Sequence, residues 1–429
     1  MINYSRVLWL VAPGERRALF SASAAYFFLL AGYYILRSLR EAFALQVGRS
    51  NIASLFYASF IVMLGVLPLY WFVVARLPRR WLFPVIYSAV VIFFSGLAFG
   101  IAENPLDRSL AAIYFVAVTS LNLFIVSVFW SVMVDAWRSD SAKRLFGFIA
   151  AGGSAGAIAG PLFNALFIQR IGPSSTILVA CVLIMLSVFL GRHAQSLDPY
   201  KENEKKNTLS RLALPVGGTA IDDLKRLINS RYLLVIVLIV IAGQLLAGFM
   251  YQEQAKYVES AYITLVDRAA LFARIDFLVS ALSLFFQLFL VGFLATRGGL
   301  RIALGLVPLL LVCSLILLAL IPLGMVLLGT QVFRRAVDYG LFKPTREMLF
   351  TILNPESKFK SKSLIDTLLQ RGGDSLSQAI YPFVAGLGLA GVAWACVVVS
   401  LSMLWLALWL GRFFSIRENR SFDATNVDI

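Results

Sequence analysis

Runs of about 20 consecutive apolar residues recur along the whole chain, and they constrain its fold more than any other feature. Hydrophobic residues make up 60% of the 429 positions and charged residues only 14%, which is too apolar for a soluble domain of this length. The pattern predicts an all-α integral membrane protein with twelve transmembrane helices. These predicted spans, numbered 1 to 12, cover residues 16–36, 52–74, 82–102, 110–136, 145–168, 174–191, 232–255, 269–295, 302–320, 324–349, 364–386 and 389–410.

The net charge of +15 follows membrane topology and does not form a surface for nucleic acid. Lysines and arginines concentrate in alternate loops, so the positive-inside rule places both termini and the 193–231 loop in the cytoplasm. We expect a multi-pass protein of the bacterial cytoplasmic (inner) membrane, whose first span is an uncleaved signal. Its expected partners are the lipid bilayer and a small molecule, with no nucleic acid. The basic clusters include Arg16 and Arg17, Arg79 and Arg80, Lys143 and Arg144, Lys358 and Lys360, and Arg417 and Arg420.

One long polar segment divides the predicted spans six and six. This segment, 193–231, ends in "AIDDLKRLI", which has the spacing of a short amphipathic helix at the membrane surface. It is interpreted either as a linker between two bundles or as a regulatory element. We therefore expect an N-terminal six-helix bundle at 1–192, a cytoplasmic linker at 193–231, and a C-terminal six-helix bundle with a cytoplasmic tail at 232–429.

The two halves resemble each other weakly. "AAGGSAGAIAGP" at 150–161 aligns with "QRGGDSLSQAIYP" at 370–382, and the basic loops before them also correspond. Repeats of one orientation imply a pseudo-twofold axis along the membrane normal, the plan of major facilitator transporters, with substrate at the midplane. The glycine run lacks the order of a phosphate-binding loop. Gly152, Gly156 and Gly160 repeat every four residues instead, and this small-residue ridge predicts close helix packing.

Charged residues near the end of span 1 lie either at the membrane–water interface or along a cavity inside the protein. Tyr26, Tyr33, Arg37 and Arg40 share one helical face, and Glu41 can reach Arg37 at i,i+4. One interpretation is that the arginines snorkel to the outer interface. The other is that they line a cavity, because an ionisable residue inside a span is costly and is usually functional. The two tyrosines on the same face favour the cavity.

Other charged side chains also fall inside predicted spans. Glu253 of span 7 occupies the position equivalent to Arg37 in the repeat, so we expect it to pair with Arg37 or Arg40 when an outer cavity closes. In span 10, Arg334 and Asp338 are i,i+4 neighbours, and one of the two arginines there neutralises Asp338. The other then has no local partner, and its guanidinium suits a carboxylate or phosphate. Further candidates are Arg335 in span 10, Arg371 and Asp374 in span 11, and Asp135 in span 4 as a gate or structural ion pair.

Three stretches together resemble the ATP:ADP antiporter family, the nucleotide exchangers of intracellular bacteria and plastids. They are "ILRSLREAF" at 35–43, "VFWSVMVDAWRSDSAKRLFGFIAAGGSAGAIAGP" at 128–161, and "YGLFKPTREMLFTILNPESKFKSKSLID" at 339–366. The first is similar to the family pattern LRxLKD, with Arg40 and Glu41 in place of Lys and Asp. The third contains Phe342 to Met348, "FKPTREM", which is similar to the family pattern FDPTKEM and is the more specific of the two.

The resemblance implies a nucleotide transporter of major facilitator type, in which basic residues hold an anionic substrate. By that resemblance Arg37, Arg40 and Arg346 stand where the family carries its basic residues. Two departures concern the substrate. Asp374 follows Gly373 where family members often have Gly-Lys, and the outer half of span 4 has no acidic residue, where nucleotide exchangers tend to carry one.

The sequence therefore predicts a secondary transporter that works by alternating access on an anionic small molecule, by exchange of a nucleotide or another phosphorylated metabolite. The alternatives are a proton-coupled carrier of another solute, in which Asp338, Asp374 or Glu253 titrates, and a non-transporting receptor or assembly protein. No metal cluster or nucleophile–base arrangement occurs in the sequence, and the single His193 lies in the loop. We expect a monomer that is not an enzyme and has no cofactor or metal. The expected substrate-binding residues are Tyr33, Arg37, Arg40, Arg334, Arg335, Arg346 and Arg371, and the expected gating or coupling residues are Glu41, Asp135, Glu253, Asp338 and Asp374.

The predicted topology is testable at the central loop. A cysteine introduced at Lys205 should react with a membrane-impermeant thiol reagent only after the cytoplasmic face is opened, because the charge bias holds that loop inside. Labelling of this cysteine from outside intact cells would contradict both the orientation and the twelve-span count.

Overall fold

The computed structural model describes residues 15–76, 79–136, 139–196, 230–291, 299–349 and 369–426, and every secondary-structure element within these ranges is helical. Two π-helical segments interrupt the α-helices: π1 (Phe286–Val291) continues α7, and π2 (Asp338–Phe342) joins α9 to α10. In chain order the α-helices are α1 (Arg16–Val47), α2 (Ile52–Arg76), α3 (Arg79–Glu103), α4 (Arg108–Ala136), α5 (Ser139–Ser196), α6 (Arg231–Ala261), α7 (Leu265–Phe285), α8 (Gly299–Leu320), α9 (Gly324–Val337), α10 (Lys343–Leu349), α11 (Gln370–Ala385) and α12 (Gly388–Asn426).

Length and hydropathy identify the membrane spans. Within the described ranges, eight helices are long and apolar enough to cross a bilayer, or nine if the bent pair Arg108–Leu121 and Phe124–Trp130 forms one span. The 58-residue α5 is two helices, because Gly172 before Pro173 adopts φ 76° and ψ 169°, a conformation that breaks a helix and that glycine tolerates. This break lies between predicted spans 5 and 6. The helical multi-pass class is confirmed, whereas the count of twelve stays a prediction.

The chain divides into two compact units. Unit 1 holds α1 to α5 together with Tyr262–Phe277, and unit 2 holds α6 up to Ala261 and the helices from Leu278 onward. The start of α7 thus belongs with the first unit, where the sequence had placed it in the second half. The predicted linker lies mostly outside the described residues, so the expected boundaries at 192 and 232 stay a prediction.

Unit 1 is built around the close approach of α1 and α5. A Cβ atom on Gly152, Gly156 or Gly160 would collide with a backbone carbonyl of α1, in turn that of Ser23, Phe27 and Ala31. These three glycines therefore let the two backbones touch, as the four-residue repeat predicted.

Unit 2 repeats this contact between α6 and α11. A Cβ atom on Gly248 would collide with the Ser377 side chain, and one on Gly373 would lie 2.9 Å from Cβ of Gln244. The side chains of α6, α8, α9, π2 and α12 then form the apolar core of the unit. The contact between the first and fifth helices of one half thus has its counterpart in the other half.

Filling the glycine ridge should destabilise the protein. We expect Gly156→Ala to lower the free energy of unfolding by about 1–3 kcal/mol, because its methyl group meets the α1 backbone, which cannot move aside locally. Thermal denaturation of the purified protein in detergent measures this change. Gly147→Ala is the matched control on the same helix, since a Cβ atom at that position would have no neighbour within 4 Å. Equal melting temperatures for the two variants would contradict the packing role.

Candidate functional site

Arg40 is held inside unit 1 by polar and aromatic groups of α4. Its side chain is only 13% exposed, and Nη1 donates a hydrogen bond of 3.3 Å to Oγ1 of Thr119. Its guanidinium lies 5.3 Å from the centre of the Phe115 ring, and Nη2 contacts Oε1 of Glu41. A snorkelling arginine would extend away from the helices toward water, whereas Arg40 folds against them.

Arg37 is held in the same unit by a carboxylate of α7. Its Nε lies 3.9 Å from Oδ2 of Asp276, and its side chain is 13% exposed against 2% for Asp276. The guanidinium also lies 5.3 Å from the centre of the Tyr34 ring. The sequence expectation that Glu41 partners Arg37 is wrong. Glu41 contacts Arg40 instead, because Thr119 and Phe115 hold the Arg40 guanidinium within its reach.

Buried hydrogen bonds fix the backbone of α1 next to the arginines. Tyr114 donates its hydroxyl to the Leu36 carbonyl at 3.0 Å, and Asn164 donates Nδ2 to the Ile35 carbonyl at 2.9 Å. Asn164 also donates to Oγ of Ser38. These bonds tie α1 to both α4 and α5. Sequence reasoning missed Asn164, Tyr114 and Thr119, although a lone asparagine in an apolar run such as span 5 is a usable signal.

The two tyrosines of the predicted α1 face lie inside unit 1. Tyr26 stacks on Phe129 with ring centroids 4.3 Å apart and accepts a hydrogen bond of 3.3 Å from Nε1 of Trp130. Tyr33 is 3% exposed and meets Tyr34 edge to face. Tyr26 therefore contributes to the packing of unit 1. Tyr33 is buried, and it lies one helical turn before Arg37 in α1. Assignment of Tyr33 to a substrate site stays a prediction.

A buried polar network links three helices of unit 2. Glu253 is 3% exposed and accepts a hydrogen bond of 2.7 Å from the Tyr381 hydroxyl. The glutamines on either side of it reach different helices: Gln252 donates to Gln378 of α11, and Gln254 accepts from Gln331 of α9 at 2.7 Å. Glu253 was expected from the sequence, whereas the flanking glutamines were not. Its expected pairing with Arg37 or Arg40 in an outward-closed state stays a prediction.

Arg334 extends this network into a cavity within unit 2. Its Nε donates a hydrogen bond of 2.9 Å to Oε1 of Gln331, and the side chain is 9% exposed. Arg334 and Asp338 both line a small, partly open cavity, whose other walls are apolar residues of α6, α8 and α12 and Phe342 of π2. In the described part of the chain, the two charged groups make no direct ion pair with each other. Arg334 is thus held mainly by an amide, and Arg335 is half-buried.

The two charged residues of α11, Arg371 and Asp374, form an ion pair with no net charge. Nη1 of Arg371 lies 3.2 Å from Oδ2 of Asp374, and both side chains are less than a fifth exposed. The acidic residue that replaces the basic one of the family pattern is therefore balanced one turn away. On α10, Arg346 is 6% exposed. The Asp135 side chain lies outside the described part of the structure, so its role as a gate stays a prediction.

No group of three metal-ligating side chains occurs among the residues that the structure describes. The arrangement in unit 1 instead offers two guanidinium groups whose partners are carboxylates. Such groups bind oxyanions through charge-assisted hydrogen bonds. The site can therefore hold an anion that competes with Glu41 and Asp276.

Comparisons with known proteins indicate which family the chain resembles. Residues 310–419 match the family model described as TLC ATP/ADP transporter. ADP,ATP carrier protein 1 of Chlamydia trachomatis is 22% identical over 320 residues, which is 65% of this chain and 60% of that protein. ADP,ATP carrier protein 1 of Chlamydia muridarum is 23% identical over 406 residues, which is 83% of this chain and 75% of that protein. The chain is thus similar to the ATP:ADP antiporter family, at 22–23% identity to these two carriers.

Solved structures of transporters share the fold of this chain. A POT family transporter in complex with 5-aminolevulinic acid superposes with a TM-score of 0.65 at 12% identity, covering 92% of this chain and 96% of that one. The nucleoside transporter NupG gives a TM-score of 0.56 at 12% identity, covering 94% and 99%. The predicted resemblance to this family is confirmed. Its members are transporters and not enzymes, so the prediction that the chain is not an enzyme is confirmed as well.

The Arg37–Asp276 pair should matter for stability. We expect Asp276→Asn to lower the free energy of unfolding by up to about 3–5 kcal/mol, because it leaves an arginine buried without its carboxylate. The double variant Arg37→Gln/Asp276→Asn should recover part of this loss. Apparent melting temperatures of the purified variants measure both changes. Arg274→Gln is the control, since Arg274 is exposed two residues away on α7. A loss in Arg274→Gln as large as that in Asp276→Asn would contradict the pairing.

Proposed function

We propose that this protein is a secondary transporter that exchanges anionic phosphorylated small molecules, nucleotides first among them, across the bacterial inner membrane by alternating access. The observation that carries the proposal is the placement of Arg37 and Arg40 inside unit 1. Each is held by a carboxylate and an aromatic ring, and each side chain is only 13% exposed. A span that keeps two arginines off the lipid and away from water has retained them despite the cost of burial.

The chemistry of these side chains favours a phosphorylated substrate. A guanidinium presents five donors in a planar fork that matches phosphate oxygens in pairs. Glu41 and Thr119 occupy part of this fork on Arg40. A phosphate carries enough negative charge to compete with these carboxylates, whereas a neutral solute gains nothing from them. The carrier names of the Chlamydia relatives support ADP and ATP as the first candidates.

The charge balance on α11 argues for testing a wider set of substrates. The Arg371–Asp374 pair contributes no net charge, where the family pattern supplies a lysine. An aspartate in place of that lysine removes positive charge that would favour a nucleoside triphosphate. Nucleoside monophosphates, nucleoside diphosphates and phosphorylated sugars therefore belong in the same screen as ATP.

The proposed transporter has twelve spans in two six-helix bundles. The kink at Gly172 supports the division of α5 into two spans. The matching glycine contacts of α1 with α5 and of α6 with α11 support two repeated halves. We further propose cytoplasmic termini and a monomer, as the loop charges and the facilitator plan predict.

A thermal-shift screen of the purified protein tests the substrate class. A ligand that binds only the folded state at 100 times its dissociation constant adds about 2.7 kcal/mol of stability. We expect phosphorylated compounds to raise the melting temperature and their dephosphorylated counterparts to leave it unchanged. Equal shifts with both would argue against a site built for phosphate.

Binding should depend on the α1 arginines. With a ligand from the screen, we expect Arg37→Gln or Arg40→Gln to weaken affinity by roughly 10- to 150-fold, the effect of losing a charge-assisted hydrogen bond of about 1.5–3 kcal/mol. The dissociation constants of equally folded, purified variants measure this. Arg108→Gln is the control, since Arg108 is exposed at the start of α4. Unchanged affinity in both α1 variants would leave these arginines with a purely structural role.

A proton-coupled carrier is the second candidate, and Glu253 is the observation that favours it. Its carboxylate is 3% exposed, accepts from Tyr381, and makes no ion pair among the described residues of unit 2. Carboxylates buried inside membrane spans often mark proton or substrate pathways in transporters. Uptake into proteoliposomes separates the candidates: exchange requires substrate inside the vesicle, whereas proton coupling requires a pH gradient and no internal substrate.

A further inference from the structure

Pro344 creates a defect in the helix that carries the "FKPTREM" motif. Proline lacks a backbone N–H and its ring collides with the carbonyl one turn earlier, so a regular helix cannot pass through it unchanged. The chain responds with the wider turn of π2 immediately before α10. The defining bond runs from the N–H of Lys343 to the carbonyl of Asp338, five residues back. In this register the next donor in line for the Tyr339 carbonyl is residue 344, and a proline there has no N–H to donate.

A side chain from the neighbouring helix supplies a donor in its place. Gln287, which lies in π1, donates Nε2 to the Tyr339 carbonyl at 3.1 Å. One turn earlier along α7 and its continuation, Ser283 donates Oγ to the Ala336 carbonyl at 3.4 Å. α7 with its continuation π1 is therefore joined to α9 with its continuation π2 by two bonds from side chains of the first to backbone carbonyls of the second.

The two segments also touch at a glycine. A Cβ atom on Gly340 would lie 2.8 Å from Cβ of Phe286 and 2.9 Å from the Ser283 carbonyl. This close approach lets the Gln287 amide reach the Tyr339 carbonyl. The contact is thus a specific joint between α7 with π1 on one side and α9 with π2 on the other.

Charged residues stand on both sides of this joint. Arg334 precedes π2 and Asp338 is its first residue, and both line the partly open cavity. Lys343, 4.3 Å from the centre of the Tyr339 ring, and the buried Arg346 follow it. Each residue of an α-helix turns the chain by about 100°, so gain or loss of the extra π residue rotates the following turn by that angle. A change at π2 therefore re-aims Lys343 and Arg346 relative to Arg334.

We propose that π2 is a hinge in the helix of the "FKPTREM" motif, and that Gln287 is its latch, replacing the N–H that Pro344 lacks. With the Gln287–Tyr339 bond closed, α10 is held against π1. With the bond broken, π2 loses its tie to the neighbouring helix, and α10 turns and exposes its buried face. The latch needs no substrate, so it goes beyond the proposed transport function and does not depend on it.

Cysteine accessibility in the full-length protein tests the latch. In a background without Cys181, Cys313 and Cys396, Thr345→Cys places a thiol on α10 at a position that is 3% exposed. The rate at which a small water-soluble methanethiosulfonate modifies this thiol reports how often α10 moves away from π1 and exposes it. We expect Gln287→Met to raise this rate about fivefold, the population change that follows from losing one ordinary hydrogen bond. Gln370→Met is the matched control, because Gln370 makes no side-chain hydrogen bond among the described residues, and its rate should stay within twofold.

A second background separates a latch from a general loosening of unit 2. Pro344→Ala restores the backbone donor, so the same Gln287→Met change should then leave the modification rate of the introduced thiol within twofold. An equal effect of Gln287→Met in both backgrounds, or no effect with Pro344 in place, would overturn the latch. If Gln287→Met does not fold, Gln287→Glu replaces it, since glutamate keeps the side-chain length but lacks the amide donor. The same changes in modification rate are expected for it in both backgrounds. No ligand enters the measurement, so a failed nucleotide screen leaves its outcome unaffected.

Discussion

Inside a bilayer there is no water to satisfy a polar group, and this constraint explains the most informative contacts of the protein. Arg40 folds onto Glu41 and Thr119, and Arg37 lies beside Asp276. In the second unit, amides satisfy one another between α6, α9 and α11. The same rule applies to the backbone, where Gln287 donates to a carbonyl that Pro344 cannot serve. Each contact fixes one helix against another.

Features that depend on local order along the chain could be predicted from the sequence. The apolar runs indicated the helices, and the four-residue spacing of Gly152, Gly156 and Gly160 indicated the face on which α5 meets α1. The motifs around Arg37 and Phe342 indicated the family. Each of these signals is a periodicity or a short string, which survives without knowledge of the neighbouring helices.

The partners of the charged groups could not be predicted in the same way. The helical spacing predicted that Glu41 contacts Arg37. In the structure Glu41 contacts Arg40 instead, because Thr119 of α4 binds the Arg40 guanidinium beside it. Asp276 reaches Arg37 although the two residues are far apart along the chain. Helical spacing also made Arg334 and Asp338 a pair, yet Gln331 holds Arg334 instead. The partner of each charged group depends on which helices pack against each other, and helical spacing along one segment does not contain that tertiary contact.

The counter-charges bear on which anions the proposed site selects. Arg37 and Arg40 each have a carboxylate partner in this structure, so a substrate has to displace Asp276 or Glu41 to gain full use of either guanidinium. A monocarboxylate exchanges one singly charged partner for another and gains little. A phosphate group brings up to two charges and three acceptor oxygens, so it can bind one arginine fully and still offset the displaced carboxylate. The proposed selectivity for phosphorylated molecules would then follow from competition inside the site, because Asp276 and Glu41 act against weaker anions.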